Sequence, residues 1–370
     1  MTRVVIVGCG VVGAAIAYEL SLCPEFEVVV VDRQPPASGS SGAALGVAMG
    51  VISHKVQGRN WQLREQSLLR YPALIAELEA ITGQQIQHNT QGILSLCFVA
   101  EELPRWRSLQ AIRQQQGHTL DIWPPEQVAH HCPHLNLTNT VAGIYSPQDL
   151  QVNPTQLTQA LVAAATLRGV RFHLGKPVVA FKIATDSAAP YCRAVLTSSQ
   201  SFEADWVVLA AGLGTTALTE NLGQATVLGP VLGQGLKLHL AQNLGNPDFQ
   251  PVINGNDIHL VPLGAGDYWV GATVEFPTVS TPADGFALQP EAALLEAVWQ
   301  GALAYCPALA QGTIIDRWFG LRPRPQAQAA PVIKPLEGYR NIWLATGHYR
   351  NGVLLAPATA LTIRDHLLNG

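Results

Sequence analysis

Three glycines and one acid near the start of the chain have a spacing that could serve a chemical function. Gly8, Gly10 and Gly13 form the pattern GxGxxG, and Asp32 follows about 20 positions later. Gly8 permits a tight turn, Gly10 lets a pyrophosphate approach the backbone, and Gly13 lets a helix pack closely on a strand. Asp32 can accept hydrogen bonds from ribose hydroxyls, which disfavours the 2'-phosphate of NADP. We therefore predict an adenine dinucleotide site.

A second glycine-rich turn lies near the C-terminus, in the segment TGHYRNGVLLAP at residues 346–357. It has the pattern of a strand end, a polar turn and a helix start. A helix N-terminus there could stabilise negative charge on a reduced flavin ring, although an ordinary glycine-rich start of a helix explains the same residues. Because GxGxxG serves FAD and NAD alike, this second segment is what favours FAD.

The elements that must position these residues predict an α/β chain. A strand at Val4–Val7, a helix from about Val11 to Leu22 and a strand at Val28–Asp32 form a βαβ unit with parallel pairing. Buried strands at Val170–His173 and Trp206–Ala210 continue the same pattern. Further helices are predicted at residues 61–81 with Gly83 as C-cap, 105–115, 154–169, 290–305 and 352–368.

Alternation at period two from about Gly229 to Glu275 indicates an antiparallel sheet. Further strands are predicted near Trp318 and at Ile342–Ala345, and the small residues of Ser38–Gly50 predict a loop that a ligand approaches closely. The fold class that follows is α/β, with a Rossmann-like nucleotide-binding domain and an antiparallel α+β domain beside it.

Composition narrows the classes of partner. The formal net charge is -4 at pH 7, and no block of Lys or Arg could neutralise a row of phosphates, which argues against nucleic acid. Six scattered cysteines without a CxxC pair indicate a reducing cytoplasm, and no apolar segment reaches the roughly 20 residues that a membrane span needs. We expect no metal site, because Pro133 interrupts the cluster His130, His131, Cys132 and His134.

With these motifs in view, the chain resembles the D-amino-acid oxidase family of flavoproteins, and within it the glycine oxidase branch, over nearly its whole length. The resemblance also rests on residues 40–46, 153–154, 207–212, 270–273 and 319–323. It implies non-covalent FAD in a discontinuous domain made of residues 1–85, 150–225 and 320–370. Residues 86–149 and 226–319 would then form the substrate-binding domain.

The resemblance also implies which residues contact FAD. The expected set is Gly8, Gly10, Val11, Val12, Gly13, Asp32, Arg33, Ser40, Ser41, Ala43, Ala44, Leu45, Gly46, Val178, Ala211, Gly212, Gly347, Arg350, Asn351, Gly352, Val353 and Leu354. In this set Asp32 belongs to the ADP half, Ser40 and Ser41 to the pyrophosphate, and Val178 to adenine.

By the same resemblance, Arg322 binds the substrate carboxylate and Arg350 lies near the substrate, while from the residues alone a surface salt bridge explains either arginine. The chain departs from the family at His259, where a tyrosine is usual, and we expect Asp257 on the same strand face. This departure puts glycine itself in question as the substrate. The segment 326–330 also departs from an Asp-Gly turn of the family.

The implied reaction is oxidative deamination of glycine, a small (D-)amino acid or a secondary amine. Hydride would pass from the substrate carbon to flavin N5, giving an imine and then a keto acid, with oxygen or another compound as electron acceptor. A D-amino-acid dehydrogenase, a sarcosine-type N-methyl amine oxidase and a catalytically silent flavin-binding assembly or regulatory protein remain alternatives. Glycine oxidase relatives also suggest a thiamine-pathway role, and a homo-oligomer stays open.

Overall fold

The computed structural model describes residues 1–185, 189–277 and 289–369. The strands are β1 Thr2–Val7, β2 Phe26–Val31, β3 Val47–Ala48, β4 His88–Asn89, β5 Ile93–Cys97, β6 Asp121–Trp123, β7 Ala142–Ser146, β8 Leu150–Val152, β9 Arg171–His173, β10 Val178–Ala184, β11 Tyr191–Thr197, β12 Ser201–Glu203, β13 Trp206–Leu209, β14 Leu228–His239, β15 Val252–Gly255, β16 Ile258–Gly264, β17 Asp267–Gly271, β18 Thr313–Pro325, β19 Val332–Pro335 and β20 Ile342–Thr346. The α-helices are α1 Val11–Ser21, α2 Gly58–Thr82, α3 Leu103–Gln115, α4 Pro125–His131, α5 Pro154–Leu167, α6 Thr215–Glu220, α7 Ala292–Tyr305 and α8 Gly352–Asn369.

A six-stranded sheet holds the first glycine motif. Its strand order is β19-β20-β13-β1-β2-β9, with parallel pairing throughout except between β19 and β20. The valine-rich strands β1 and β2 are buried on both faces, which explains their uninterrupted apolar runs. The predicted βαβ unit is confirmed, and the sheet gathers strands from distant parts of the sequence.

Two different layers cover this sheet. On one face α1, α2, α5 and α8 pack around a large apolar core that includes Ile6, Val28 and Val30. On the other face the antiparallel sheet β10-β11-β12 packs against Val5 and Val29. The arrangement leaves the carboxyl ends of β1 and β2 as the place where a ligand can reach the sheet.

A mixed, mostly antiparallel sheet of eight strands lies beside the first, in the order β18-β14-β17-β16-β15-β5-β7-β6. Only the β15–β5 pair is parallel. One face of the sheet buries Leu236, Leu260 and Val270 against α7. The alternate residues face the opposite side, where the candidate site lies. The α/β fold class with an antiparallel second part is confirmed.

Most predicted elements end within one or two residues of the observed bounds. Gly83 ends α2 in the left-handed conformation with a φ of 68°, and the Asn153 side chain accepts hydrogen bonds from the first turn of α5. The prediction for Asp257 is wrong: it lies in the turn before β16, with a φ of 66°, because Asn256 and Asp257 close the hairpin. The predicted domain limit at residue 320 falls inside β18, and the domain division stays a prediction.

Across the described ranges, we find no helix that combines the length and the apolar character needed to cross a membrane.

Candidate active site

A cleft of about 1050 Å³ runs between the two sheets. One end is lined by the residues that follow β1 and β2, and the other end is lined by side chains from β16, β17 and β18. The volume lies at the upper end of the range of about 300–1,000 Å³ for ligand and cofactor sites. An extended ligand such as a dinucleotide therefore fits its size and its position.

The glycines of the first motif lie where side chains would collide with backbone. Gly8 has a φ of +114°, and a Cβ there would come within 2.5 Å of the Ala210 carbonyl oxygen. A Cβ on Gly13 would come within 2.0 Å of the Gly8 carbonyl oxygen. Gly13 thus allows α1 to pack closely on the turn, and it does not itself line the cleft.

Backbone N–H groups in this turn hold the polar side chains in place. The Asp32 carboxylate accepts hydrogen bonds from the Cys9 N–H and, at 2.9 Å, from the Gln34 N–H. The Ser41 hydroxyl oxygen accepts one from the Val11 N–H at 2.9 Å. These bonds fix the Asp32 carboxylate at the tip of β2, beside the cleft that it lines.

These residues fit FAD at the nucleotide end. Gly10 gives α1 no side-chain cap, and although Ser41 accepts the Val11 N–H, the N-terminal dipole of the helix still favours a pyrophosphate there. Arg33, Val178, Ala211 and Gly212 line the same end of the cleft. Because a carboxylate rather than a cation lies at the tip of β2, the ribose hydroxyls have an acceptor there.

Two side chains that the sequence did not indicate hold the loop at the other end of the cleft. The Trp318 indole N–H donates to the Ala43 carbonyl at 3.0 Å, and the Gln151 amide donates to the Leu45 carbonyl at 3.0 Å. Trp269 lies edge-on to Trp318, with ring centroids 5.9 Å apart. The result is an apolar wall beside a loop whose backbone is fixed, which suits a planar ring.

The Arg322 guanidinium lies directly over Gly233. A Cβ on Gly233 would come within 2.2 Å of Nη2, and Nη1 donates to the Leu232 and Thr273 carbonyls at 3.2 and 3.1 Å. No carboxylate in the described ranges forms an ion pair with it. Burial, and then the charge of Arg350, lower the pKa of Arg322, which still carries its charge at neutral pH. A charged, unpaired arginine faces the cleft.

Arg350 differs from Arg322 because it already has a partner. Its Nη1 lies 2.9 Å from an Asp257 carboxylate oxygen, across the turn between β15 and β16. The hydrogen bond from Arg350 lowers the pKa of Asp257, and the carboxylate in turn raises the pKa of Arg350. Arg350 lines the cleft with its charge balanced by Asp257, which does not line it.

His259 lies on β16 with only 9% of its surface exposed, and it lines the cleft. Burial, followed by the charge of Arg350, lowers its pKa to about 4. The imidazole is therefore neutral at physiological pH. Its Nδ1 is buried without a hydrogen-bond partner in the described structure.

The structure brings most of the expected residues into this one cleft. Gly13, Asn351 and Leu354 are the expected cofactor residues that do not line it, and Trp269, Trp318, Gly233, Gly235 and Tyr349 line it without having been expected. The sequence does carry a signal for two of these, because the alternation Gly-Gln-Gly at residues 233–235 leaves one face of β14 bare. Within residues 1–185, 189–277 and 289–369, no three His, Cys, Asp or Glu side chains gather as metal ligands would.

Comparison with known proteins identifies the family. The family model described as "DAO: FAD dependent oxidoreductase" matches residues 3–366. A relative in Synechocystis sp., "Bifunctional protein ThiO/ThiG", is 33% identical over 374 residues, which is 99% of this chain and 51% of the relative. The chain thus spans about half the length of that curated relative.

Glycine oxidases are similar over nearly their whole length. The "Glycine oxidase" of Geobacillus kaustophilus is 28% identical over 362 residues, covering 98% of this chain and 92% of the relative. A crystal structure of glycine oxidase from Bacillus cereus superposes with a TM-score of 0.87 at 25% identity, covering 100% of this chain and 95% of that one. The resemblance expected from the motifs is confirmed, and the chain belongs to the DAO family of FAD-dependent oxidoreductases.

Proposed function

We propose that this protein catalyses the FAD-dependent oxidative deamination of glycine, a small (D-)amino acid or a secondary amine. The relatives named glycine oxidase support this class of reaction. The observation that carries the proposal is Arg322, a charged guanidinium without a carboxylate partner in the described structure, on the side of the cleft that Trp269 and Trp318 enclose. A substrate carboxylate can pair with the charge of the Arg322 guanidinium and accept its hydrogen bonds.

In the proposed reaction the protein orients the substrate and excludes water. Arg322 holds the carboxylate, and the two tryptophans shield the substrate Cα–H from solvent. FAD, when bound, supplies a two-electron acceptor for the hydride that leaves Cα and passes the electrons on to oxygen, giving hydrogen peroxide, or to another compound. The amine reacts in its neutral form, so no side chain has to remove a proton from its nitrogen before the hydride leaves Cα. The imine then hydrolyses in water, giving a keto acid and ammonia from an amino acid, or a carbonyl compound and a primary amine from a secondary amine.

The test is to add a panel of amino acids and N-methyl amines anaerobically to the FAD-loaded protein and to follow the flavin absorbance. We expect bleaching by at least one small amino acid. The change Arg322→Leu should lower kcat/KM by about 30-fold to several thousandfold, because an unpaired buried charge and its bonds are worth about 2–5 kcal/mol.

Arg317→Leu is the matched control, because Arg317 lies on the same strand but lines a separate small pocket beside α7. Its kinetics should match the wild type. Equal losses in the two variants, or no bleaching by any compound in the panel, would contradict the proposal.

A cytoplasmic location is also part of the proposal. All six cysteines are free, and five are buried, as expected of a protein that works where disulfides do not form. Light scattering on the FAD-loaded protein measures whether it forms a homo-oligomer.

A further inference from the structure

Three polar side chains form a row across the cleft face of the eight-stranded sheet. Asn254 on β15 is the register partner of Ser95 on β5 and of His259 on β16. Register partners point to the same face of a sheet, so all three lie on the side that His259 shares with the cleft. The Asn254 amide nitrogen donates to the Ser95 hydroxyl oxygen at 3.0 Å. This row, Ser95–Asn254–His259, links the sheet interior to the candidate site.

Two atoms in the row are buried without a partner in the described structure. They are the Asn254 side-chain oxygen and His259 Nδ1. Buried polar atoms are nearly always hydrogen-bonded, since each orphan is costly. The two atoms are not hydrogen-bonded to each other in the described structure, but their residues are register partners on the same face of the sheet. The Asn254 oxygen can only accept, so after a rotation of the side chains a His259 ring that carries its proton on Nδ1 would complement it. In that tautomer Nε2 has a lone pair and no proton.

A neutral imidazole with a free lone pair at Nε2 is an acceptor, and so it suits a different part of the substrate from Arg322. A carboxylate is itself only an acceptor, whereas an amino group offers N–H donors. We propose that His259 Nε2 accepts a hydrogen bond from the substrate amino group, while Arg322 holds the carboxylate. This inference rests on the proposed function and deepens it.

The proposed contact assists the chemistry because it strengthens as the reaction proceeds. When the Cα–H bond breaks, its electron pair leaves as hydride and the nitrogen lone pair forms the C=N bond. The nitrogen gains positive charge, so its N–H becomes a stronger donor, and the proton is finally lost to water. Interactions that strengthen in the transition state raise kcat. Substrates that keep an N–H on the neutral amine, which are primary and secondary amines, are therefore favoured over tertiary amines.

The experiment compares glycine, sarcosine and N,N-dimethylglycine as reductants of the FAD-loaded protein under anaerobic conditions. Acetate, which has a carboxylate and no nitrogen, is the binding probe, titrated by the change in flavin absorbance. In His259→Phe the limiting rate with glycine and sarcosine should fall by about ten- to hundredfold, as expected for a bond to a group gaining charge. The rate with N,N-dimethylglycine and the Kd of acetate should change less than about threefold, the size of a weak contact. Arg322→Leu should strongly weaken the binding of acetate.

Asn254 acts through His259 and is a positioning residue. Asn254→Leu should reproduce the loss with glycine in part and leave acetate binding unchanged. Asn254→Asp keeps an oxygen acceptor for the Nδ1 proton and should restore the rate. Rescue by aspartate distinguishes orientation of the imidazole from general packing of the sheet.

Several outcomes would overturn the inference. If His259→Phe weakens acetate as much as Arg322→Leu does, His259 binds the carboxylate. Equal losses of rate with glycine and with N,N-dimethylglycine in His259→Phe would show that His259 makes no hydrogen bond with a substrate N–H. If the His259 and Asn254 variants do not fold, the wild-type protein still tests the proposed contact. Equal rates of flavin reduction with N,N-dimethylglycine and with sarcosine would refute it. If no amino acid reduces the wild-type flavin, the proposed function falls together with this inference.

Discussion

Arg322 can lie flat across β14 because Gly233 has no side chain beneath the guanidinium. The two residues are not direct register partners: Arg322 pairs with Val231, and Gly233 pairs with Gly320. The arginine therefore leans diagonally over β14, where it donates to the Leu232 carbonyl and to the carbonyl of Thr273, which follows β17. The position of the charge in the site depends on the absence of a side chain at residue 233.

The change Gly233→Ala should displace the Arg322 head while leaving its charge. The new Cβ would lie within 2.2–2.4 Å of three guanidinium atoms. We expect KM for the amino acid to rise about tenfold, which corresponds to about 1.4 kcal/mol, with little change in FAD content. Steady-state kinetics measure KM, and the flavin-to-protein absorbance ratio measures the FAD content.

Gly229→Ala is the matched control, because residue 229 lies on the same strand and the same face. A Cβ there would meet the far end of the Gln326 side chain, which can swing away. Its KM should stay near the wild-type value. A Gly233→Ala protein with unchanged KM would show that the substrate does not use the arginine in this position.

His348 makes the folded protein sensitive to acid. It is fully buried in the first turn before α8, where its Nε2 lies 2.9 Å from the Thr359 hydroxyl, and burial lowers its pKa from 6.5 to about 4. Between those pH values the unfolded chain binds a proton that the folded chain does not. Stability should therefore fall as pH drops from 6.5 towards 4, by up to about 1.4 kcal/mol per pH unit from this group.

Chemical denaturation at a series of pH values measures this slope. His348→Gln should make the free energy of unfolding less dependent on pH in that window. The partly buried His134 and the buried His259, whose pKa values burial also lowers to about 4, contribute in the same direction. An unchanged slope in His348→Gln would mean that the folded protein takes up the proton at that site.

At the scale of elements, the sequence predicts what depends on neighbours in the chain. The turn at Gly8 and the helix after it are encoded within a dozen residues, so their pattern identifies them. The C-cap at Gly83 and the N-cap at Asn153 are equally local. These elements carry the nucleotide end of the candidate site.

The substrate end could not be read in this way, because it depends on which strands become neighbours. The contact of Arg322 with Gly233 and the row Ser95–Asn254–His259 follow from strand registers between residues up to 159 positions apart. No periodicity within one strand specifies such a pairing. The pair of Arg350 with Asp257 was missed for the same reason, since it joins two turns 93 positions apart.

The loop after β3 depends on a buried carboxylate at the start of β8. Asp149 is fully buried, and its oxygens accept hydrogen bonds from the N–H groups of Gly50, Val51 and Ile52 at 2.7–2.9 Å. Asp149→Asn replaces one acceptor oxygen with a donor that faces another donor. We expect a loss of about 1–3 kcal/mol in the free energy of unfolding, measured with urea. The exposed Asp248→Asn should change it little, and equal values for the two variants would contradict this account.

For the molecule as a whole, the loop after β2 is one of the links between the two large sheets that enclose the cleft. The loop after β2 touches β18 twice: the Ser40 hydroxyl donates to the Leu321 carbonyl, and Trp318 donates to the Ala43 carbonyl. Farther along, the amide of Gln87, which precedes β4, donates to the Leu263 carbonyl on β16. A strand that carries the substrate arginine is thereby bonded to the loop that approaches the cofactor.

This link predicts that cofactor and substrate binding change together. Trp318→Phe keeps an aromatic wall and removes the single N–H donated to Ala43. Loss of one hydrogen bond of about 1 kcal/mol should weaken FAD binding about fivefold, and KM for the amino acid should rise with it. Trp299→Phe is the control, because Trp299 lies on the α7 side of the sheet. It tests whether replacing any tryptophan by a smaller ring changes FAD affinity and KM. Titration of the FAD-free protein by flavin fluorescence gives the Kd. A rise in KM without a change in FAD affinity would show that the tryptophan serves only the substrate wall and does not couple the two sheets.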